Sequence, residues 1–326
     1  MRVLVTGATG FTGGRLARML AARGYDVRAL VRDEARAGDL PASSVALVRG
    51  DLTDRSSWDG ALDGVEVVYN VAALYRQAAL GESVYRQVNA QAAGELVEAA
   101  SAAGVRRVVH CSTVGVHGDI EHPPADEDAP LRPGDIYQET KVEGERLARE
   151  AAARCRIQLT IARPSGIYGP GDRRLLKLFR GVARRRFVVL GGGRIFYHLT
   201  YIDDLVEGFR LCGEVPAAAG RTYILAGAEV TTLNELVSLI AAQAGVPPPR
   251  VHLPVWPFWV AGAACEAICR PLGVEPPLYR RRVDFFTKSR AFRIDRARRE
   301  LGFAPAVGLD EGIRRTLAWY KERGWL

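Results

Sequence analysis

The sequence has little of what builds disulfide-stapled, metal-centred or membrane-spanning proteins. Its cysteines, at 111, 155, 212, 265 and 269, include no C-x-x-C pair and share no ligand spacing with the five histidines. That excludes a zinc or disulfide framework and points to free thiols in a reducing compartment, with no metal expected. Long apolar runs are missing too. The greasiest stretch, 254–265, is about a dozen residues long, contains Pro257 and ends at Glu266, whereas a spanning helix needs ~20. Contact with a membrane surface stays open for it. Strand-like residues start at Arg2, so no signal peptide is expected and the chain is assigned to the cytoplasm. Acidic residues are the minority, and the formal net charge is +8. The basic residues are nevertheless scattered in short clusters, such as 184–186 and 280–282, without the aromatic-basic pattern of an RNA reader. A small-molecule substrate is expected, and no nucleic acid.

What is present begins with a glycine turn. Residues 2–6 have strand composition and run into Gly7-Ala8-Thr9-Gly10-Phe11-Thr12-Gly13, which opens a helical pattern, Leu16, Met19 and Leu20, ending near Gly24. A strand, a glycine turn and a helix N-terminus together make a diphosphate site, because unpaired N–H groups and the positive end of the helix dipole face the anion. Glycines let the backbone approach closely. A second strand pattern, 26–31, ends where the adenosine ribose of a βαβ unit should lie. Arg32 follows it in place of an acidic residue. A guanidinium fork accepts a ribose 2′-phosphate that a carboxylate would repel, which favours NADP(H), with NAD(H) as the alternative. Asp33 and Glu34 are competitors for that guanidinium.

With 326 residues and 48% hydrophobic content, the chain has ample material for a core. Strand patterns at 2–6, 26–31, 45–49, 66–71, 107–111 and 157–162 alternate with helical ones near 13–23, 54–62, 81–103 and 137–153. Val67-Val68-Tyr69 and Val108-Val109 have no polar face, as in parallel strands covered on both sides, and right-handed crossovers make that a doubly wound fold. The rhythm breaks at 164–171. Beyond it, Thr232-Leu233-Asn234-Glu235 is a capping box, proline-rich breaks fall at 247–257 and 271–277, and a last helix runs from Asp310 to Glu322. The expected architecture is α/β: a Rossmann doubly wound parallel sheet, residues 1–163, with a smaller mixed C-terminal substrate lobe, 164–326. A segment of that lobe, about 198–225, returns to the first domain.

Tyr137-Gln-Glu-Thr-Lys141 places a phenol and an ammonium four residues apart, on one face of a helix. A tyrosine, at ~10, is a poor base near neutrality unless a fixed positive charge lowers its pKa. Alone, such a pair is an ordinary surface contact. Here it opens the helix after the fifth strand, whose end carries Ser112-Thr113, and hydroxyls at the carboxyl end of a central strand face the cleft.

These motifs, with Gly50-Asp51-Leu52, Asn70-Val71-Ala72-Ala73, Val88-Asn89, Cys111 to Gly118, Arg163 to Asp172, Tyr201 to Asp204 and Leu301-Gly302-Phe303, run the length of the chain. The chain resembles the extended short-chain dehydrogenases/reductases, the NAD-dependent epimerase/dehydratase family that also contains the 3β-hydroxysteroid dehydrogenases. The resemblance implies that Tyr137 is the acid/base, that Lys141 contacts the nicotinamide ribose and depresses the phenol, and that Thr113, five residues before Gly118, takes the catalytic hydroxyl place with Ser112 competing. It implies a cofactor lined by Gly7, Thr9, Gly10, Phe11, Thr12, Gly13, Arg32, Asp51, Leu52, Ala72, Ala73, Asn89, Lys141 and Pro164. It also implies a homodimer paired through two helices per subunit.

The implied reaction is hydride transfer at a secondary alcohol or ketone. Val114-Gly115 replaces the Asp-Glu pair of sugar-nucleotide dehydratases, so dehydration is disfavoured. For the substrate, the cations Arg173, Arg174, Lys177, Arg180 and Arg280 to Arg282 suit a nucleotide sugar, to be epimerised or reduced as the keto form. Ser112, Thr113, Ser165, Arg173, Tyr197 and Arg282 are the candidate substrate contacts. Ser165 and Tyr197 depart from sugar-nucleotide relatives, and the segment 254–264, with Trp256, Phe258 and Trp259, resembles the steroid and isoprenoid branch. A hydrophobic alcohol is therefore the alternative substrate, and a non-catalytic dinucleotide sensor the second.

Overall fold

The structure, a computed structural model, describes residues 1–38, 40–41, 43–75, 80–269 and 280–326, without the side chains of residues 59 and 280–282. The strands are, in chain order, β1 (Arg2–Thr6), β2 (Asp26–Val31), β3 (Val45–Arg49), β4 (Val67–Asn70), β5 (Arg107–Cys111) and β6 (Gln158–Pro164). Six more follow: β7 (Gly166–Tyr168), β8 (Val189–Leu190), β9 (Phe196–Tyr201), β10 (Thr222–Leu225), β11 (Val230–Thr232) and β12 (His252–Leu253). Seven of them form one sheet in the order β10-β6-β5-β4-β1-β2-β3, with every pair parallel. The strand order reverses between β1 and β4, and in open α/β sheets ligands bind at that switch, beyond the carboxyl ends of the strands.

Helices cover both faces, so β4 and β10 are buried along their whole length. On one side α1 (Phe11–Ala22) packs against a later helix, Ile202–Glu214, through a core that includes Leu16, Leu20, Val206 and Phe209. On the other, α2 (Glu82–Arg86) leads through a π turn, Gln87–Gln91, into α3 (Ala92–Ala102), which packs on α4 (Ile136–Cys155) around Leu96, Val97 and Ala148. The expected single helix over 81–103 is interrupted because the buried Asn89, inside the π turn, turns its amide to the Leu74 backbone and to Thr140 of α4. Such turns are a recurrent feature of functional sites. The expected helix at 54–62 is instead two 3-10 turns, Arg55–Ser57 and Asp59–Leu62. There the Ser57 hydroxyl donates to the Asp54 carbonyl and accepts the Asp51 N–H, giving the backbone local partners that compete with a helix.

The remaining helices are α5 (Leu176–Ala183), α6 (Ile202–Glu214), α7 (Leu233–Ala244), α8 (Trp256–Cys269), α9 (Arg280–Thr287), α10 (Asp295–Leu301) and α11 (Leu309–Glu322). The capping box at Thr232 and Glu235 starts α7 as read from the sequence. Two small sheets, β11-β9-β7 and β12-β8, belong to this half of the chain. Within 198–225, α6 and β10 return to the first half of the chain, where β10 pairs with β6 and α6 packs on α1, while β9 stays in the small sheet. No helix among the described residues is long and apolar enough to cross a membrane.

Candidate active site

The floor of the site is a polar chain laid across three strand ends. Thr6 donates to Asn70 at 2.9 Å, Asn70 meets the His110 ring at 3.2 Å, and the Thr6 hydroxyl accepts the Val71 and Ala72 N–H groups, each at 3.1 Å. This fixes the loop after β4 against the glycine turn. Gly7 has φ +69°, and a Cβ there would lie 2.8 Å from the Ala72 backbone; one on Gly13 would lie 2.3 Å from the Gly7 oxygen. Only glycine fits these two places. Helix α1 starts at Gly10 without a side-chain cap, so its first N–H groups are open to an anion. An uncapped N-terminus behind a glycine cradle fits a dinucleotide diphosphate.

Helix α4 carries the candidate acid/base, Tyr137, and its candidate partner Lys141. Asp135 caps it by accepting the Gln138 N–H at 3.0 Å, and Tyr137, Lys141 and Glu145 then follow at four-residue spacing on one face. Tyr137 packs edge-on against Tyr75, ring centroids 4.8 Å apart. Burial pushes its phenol well above the usual range, and the Arg174 charge works the other way. The depression expected from Lys141 is not seen. That ammonium is itself buried, which lowers its pKa, and it donates to the Cys111 carbonyl.

Thr113 accepts the Gly115 N–H at 3.0 Å and so starts the turn Val114–His117. The Ser165 hydroxyl is buried without a hydrogen-bond partner among the described residues, the Ser112 hydroxyl lies beside the Glu145 carboxylate, and both residues line the central cavity. Beneath them Arg163 holds Glu145 through two bonds of 2.8 and 2.7 Å, and also reaches the Glu127 carbonyl and the His117 ring. Burial alone would raise the Glu145 pKa; the hydrogen bonds and charge of Arg163 outweigh it and hold the carboxyl low.

One cavity of about 1310 Å³ joins these groups. Gly7, Thr9, Gly10, Phe11, Thr12, Gly13, Arg32, Asp51, Leu52, Ala72, Ala73, Lys141 and Pro164 line it, as do Ser112, Thr113, Tyr137 and Ser165. Three sequence candidates lie elsewhere. Asn89 is outside the lining, its amide bonded to Leu74 and Thr140. Arg173 lies over the Trp325 ring at 4.9 Å. Tyr197 is buried behind the wall, its hydroxyl donating to the Phe285 carbonyl. The Arg282 side chain lies outside the described residues. The wall that sequence reading missed comes from Tyr75, Phe187, Phe285, Phe286 and Lys288. Phe187 stacks on Phe286 at 6.0 Å, and Phe285 meets Phe286 edge-on at 5.0 Å. Glu145 was also missed, although its spacing from Tyr137 and Lys141 marks the same helix face. No group of histidine, cysteine and acidic residues among those described could hold a metal ion.

Comparison with known proteins gives the same family throughout. Residues 3–226 match the model of the NAD dependent epimerase/dehydratase family. The chain is 31% identical over 330 residues to a 2-alkyl-3-oxoalkanoate reductase of Stenotrophomonas maltophilia, covering 98% of this chain and 99% of the relative. It is 30% identical over 346 residues to sterol demethylase protein B of Methylococcus capsulatus, covering all of both chains. Among solved structures it superposes on MoeE5 in complex with UDP-glucose and NAD with a TM-score of 0.77, at 28% identity and 99% coverage of each chain. The chain belongs to the NAD-dependent epimerase/dehydratase family of extended short-chain dehydrogenases/reductases and is an NAD(P)-dependent oxidoreductase of that superfamily.

Proposed function

We propose that this enzyme interconverts a secondary alcohol and a ketone on a hydrophobic substrate, with NADP(H) as its preferred cofactor. The observation that carries the substrate reading is the aromatic wall, Phe187, Phe285 and Phe286, facing the same cavity as Tyr137. Aromatic rings offer a substrate apolar area to bury rather than hydrogen-bond partners, which favours an apolar ligand on that wall. Arg173, one of the cations expected to meet a nucleotide sugar, lies instead over the Trp325 ring, and Tyr197, which already departs from sugar-nucleotide relatives, bonds to the Phe285 carbonyl. The relatives named for a 2-alkyl-3-oxoalkanoate and for sterols support the same class.

When bound, the nicotinamide supplies the hydride acceptor or donor. The chain's own residues handle the proton and the oxygen. Tyr137 Oη gives a proton to the ketone oxygen, or takes one from the alcohol, and the Thr113 hydroxyl, with Ser112 beside it, donates to that same oxygen and orients it. In this reading Lys141, on the cavity wall one helical turn from Tyr137, holds the cofactor ribose.

The nucleotide-sugar reading is the second one, favoured by Lys177, Arg174 and Arg290 in the cavity lining and by the UDP-glucose complex of MoeE5. Steady-state turnover decides between them, with NADPH or NADH against long-chain 3-ketoesters and 3-ketosteroids on one side and UDP- and dTDP-keto sugars on the other. Turnover of the apolar ketones with NADPH supports the first reading. Turnover of the keto sugars alone overturns it.

A further inference from the structure

Helix α8 is inverted relative to an ordinary surface helix. Its solvent-facing side carries Trp256, Trp259, Val260 and Ile268 at 69, 50, 52 and 64% exposure, while Glu266, its one charged residue, is buried. Alanines 261, 264 and 267 fill the rest of the exposed face. A helix of a globular protein presents charge to water and apolar residues to the core.

We propose that this face of α8 seats in the headgroup region of an anionic lipid surface. Tryptophan suits the boundary between headgroups and acyl chains, since its ring is apolar and its N–H is polar. A helix lying in that plane needs apolar residues outward and cations beside them. Between residues 236 and 283 the sequence carries Arg250, Arg270, Arg280, Arg281 and Arg282 against two glutamates, of which one is the buried Glu266. Anionic headgroups complement that excess. Helix α8 packs on α9, whose Phe285 and Phe286 line the cavity, so the lipid-facing helix is next to the apolar cavity wall. The lipid contact does not depend on which ketone the site reduces.

Co-flotation of the whole protein with vesicles tests this, using phosphatidylcholine alone and phosphatidylcholine mixed with phosphatidylglycerol. We expect flotation with the phosphatidylglycerol vesicles, accompanied by a blue shift of tryptophan emission. The double variant Trp256→Glu and Ile268→Glu should lose roughly tenfold or more of the vesicle-bound fraction. Both residues are exposed and outside the cavity lining, so its thermal melt and its binding of NADPH in solution should match wild type. Failure to float with either vesicle overturns the assignment, as does flotation indifferent to the double substitution. Equal binding to neutral vesicles removes the anionic part. A dimer in sedimentation that the Ile268→Glu variant alone dissociates would mean that a second copy covers the face.

Discussion

The Arg32 guanidinium stands 4.0 Å from the Asp51 carboxylate, at the ends of neighbouring strands on the cavity rim, and both side chains are substantially exposed. At that distance and exposure Asp51 does not lock Arg32, whose fork stays available to a ribose 2′-phosphate, while Asp51 opposes added negative charge. Under the proposed NADP(H) preference the two residues act in opposite senses on cofactor choice. Arg32→Ala should weaken NADPH roughly tenfold and change NADH little, whereas Asp51→Asn should tighten NADPH. Fluorescence titration of both cofactors checks it; equal losses for NADPH and NADH in Arg32→Ala would remove Arg32 from the choice.

Tyr137 gives a pH signature. Burial holds its phenol above the usual range, so it is protonated at neutral pH and ready to donate. Ketone reduction should then show a flat kcat/KM from about pH 6 to 8, while alcohol oxidation, which needs the ionised phenol, should climb roughly tenfold per pH unit. Tyr137→Phe should lower kcat about a hundredfold or more with NADPH binding retained. Matching pH profiles in the two directions would count against this role.

The parts of the site legible in the sequence are those where local geometry forces the residue type. Gly7 and Gly13 have no room for a side chain, and Tyr137 and Lys141 are tied by helical spacing, so both constellations could be read directly. Arg173 and Arg174 show the limit: adjacent in sequence, they face different ways. Arg173 lies over Trp325, while Arg174 bonds to Asp172 at 3.0 Å and lines the cavity. Composition cannot separate such neighbours. Phe285 and Phe286 come from a short helix behind a proline-rich break, and only tertiary packing turns them to the cavity. Asn89 carries no local sign of the π turn that aims it at Leu74. The sheet was easier, because strands buried on both faces carry their pattern within themselves.

The Arg163 and Glu145 pair should set stability as well as shape. Glu145→Gln leaves the Arg163 guanidinium buried without its counter-charge, which costs about 3–5 kcal/mol. Because the folded state holds Glu145 below its ordinary 4.5, its contribution is present above that value and is lost as pH falls through the lower, folded one. The stability gap between wild type and Glu145→Gln, measured by urea unfolding, should therefore be full near neutrality and shrink below pH 4.5. Arg163→Lys should also destabilise the fold, since an ammonium cannot make the paired bonds to Glu145. A constant gap across acid pH would contradict the linkage.

His110 titrates with the opposite charge. Burial, with Lys141 and Arg149 nearby, holds its ring well below the ordinary 6.5. The unfolded chain takes up a proton that the folded one refuses, so this residue's contribution falls as pH drops through 6.5, by about 1.4 kcal/mol per pH unit. His110→Gln removes the proton uptake and keeps an acceptor for the Asn70 amide. Its melting temperature should depend less on pH between about 6.5 and 5 than that of wild type. Parallel curves for the two proteins would mean that the ring is already protonated in the fold.

Phe286 tests the substrate class. Its ring lines the cavity beside Phe187 and Phe285 and carries no group that could move a proton, so shortening it should affect binding rather than chemistry. Covering a phenyl side chain with an apolar ligand contributes about 1.5–3 kcal/mol. Phe286→Ser should accordingly raise KM for a long-chain ketone about tenfold or more, leave kcat near wild type, and leave a short-chain ketone almost unaffected. A chain-length series of 3-ketoesters measures this. An equal effect at every chain length would place the alkyl group elsewhere in the cavity, and a fall in kcat alone would mean that the ring supports the catalytic helix instead of the substrate.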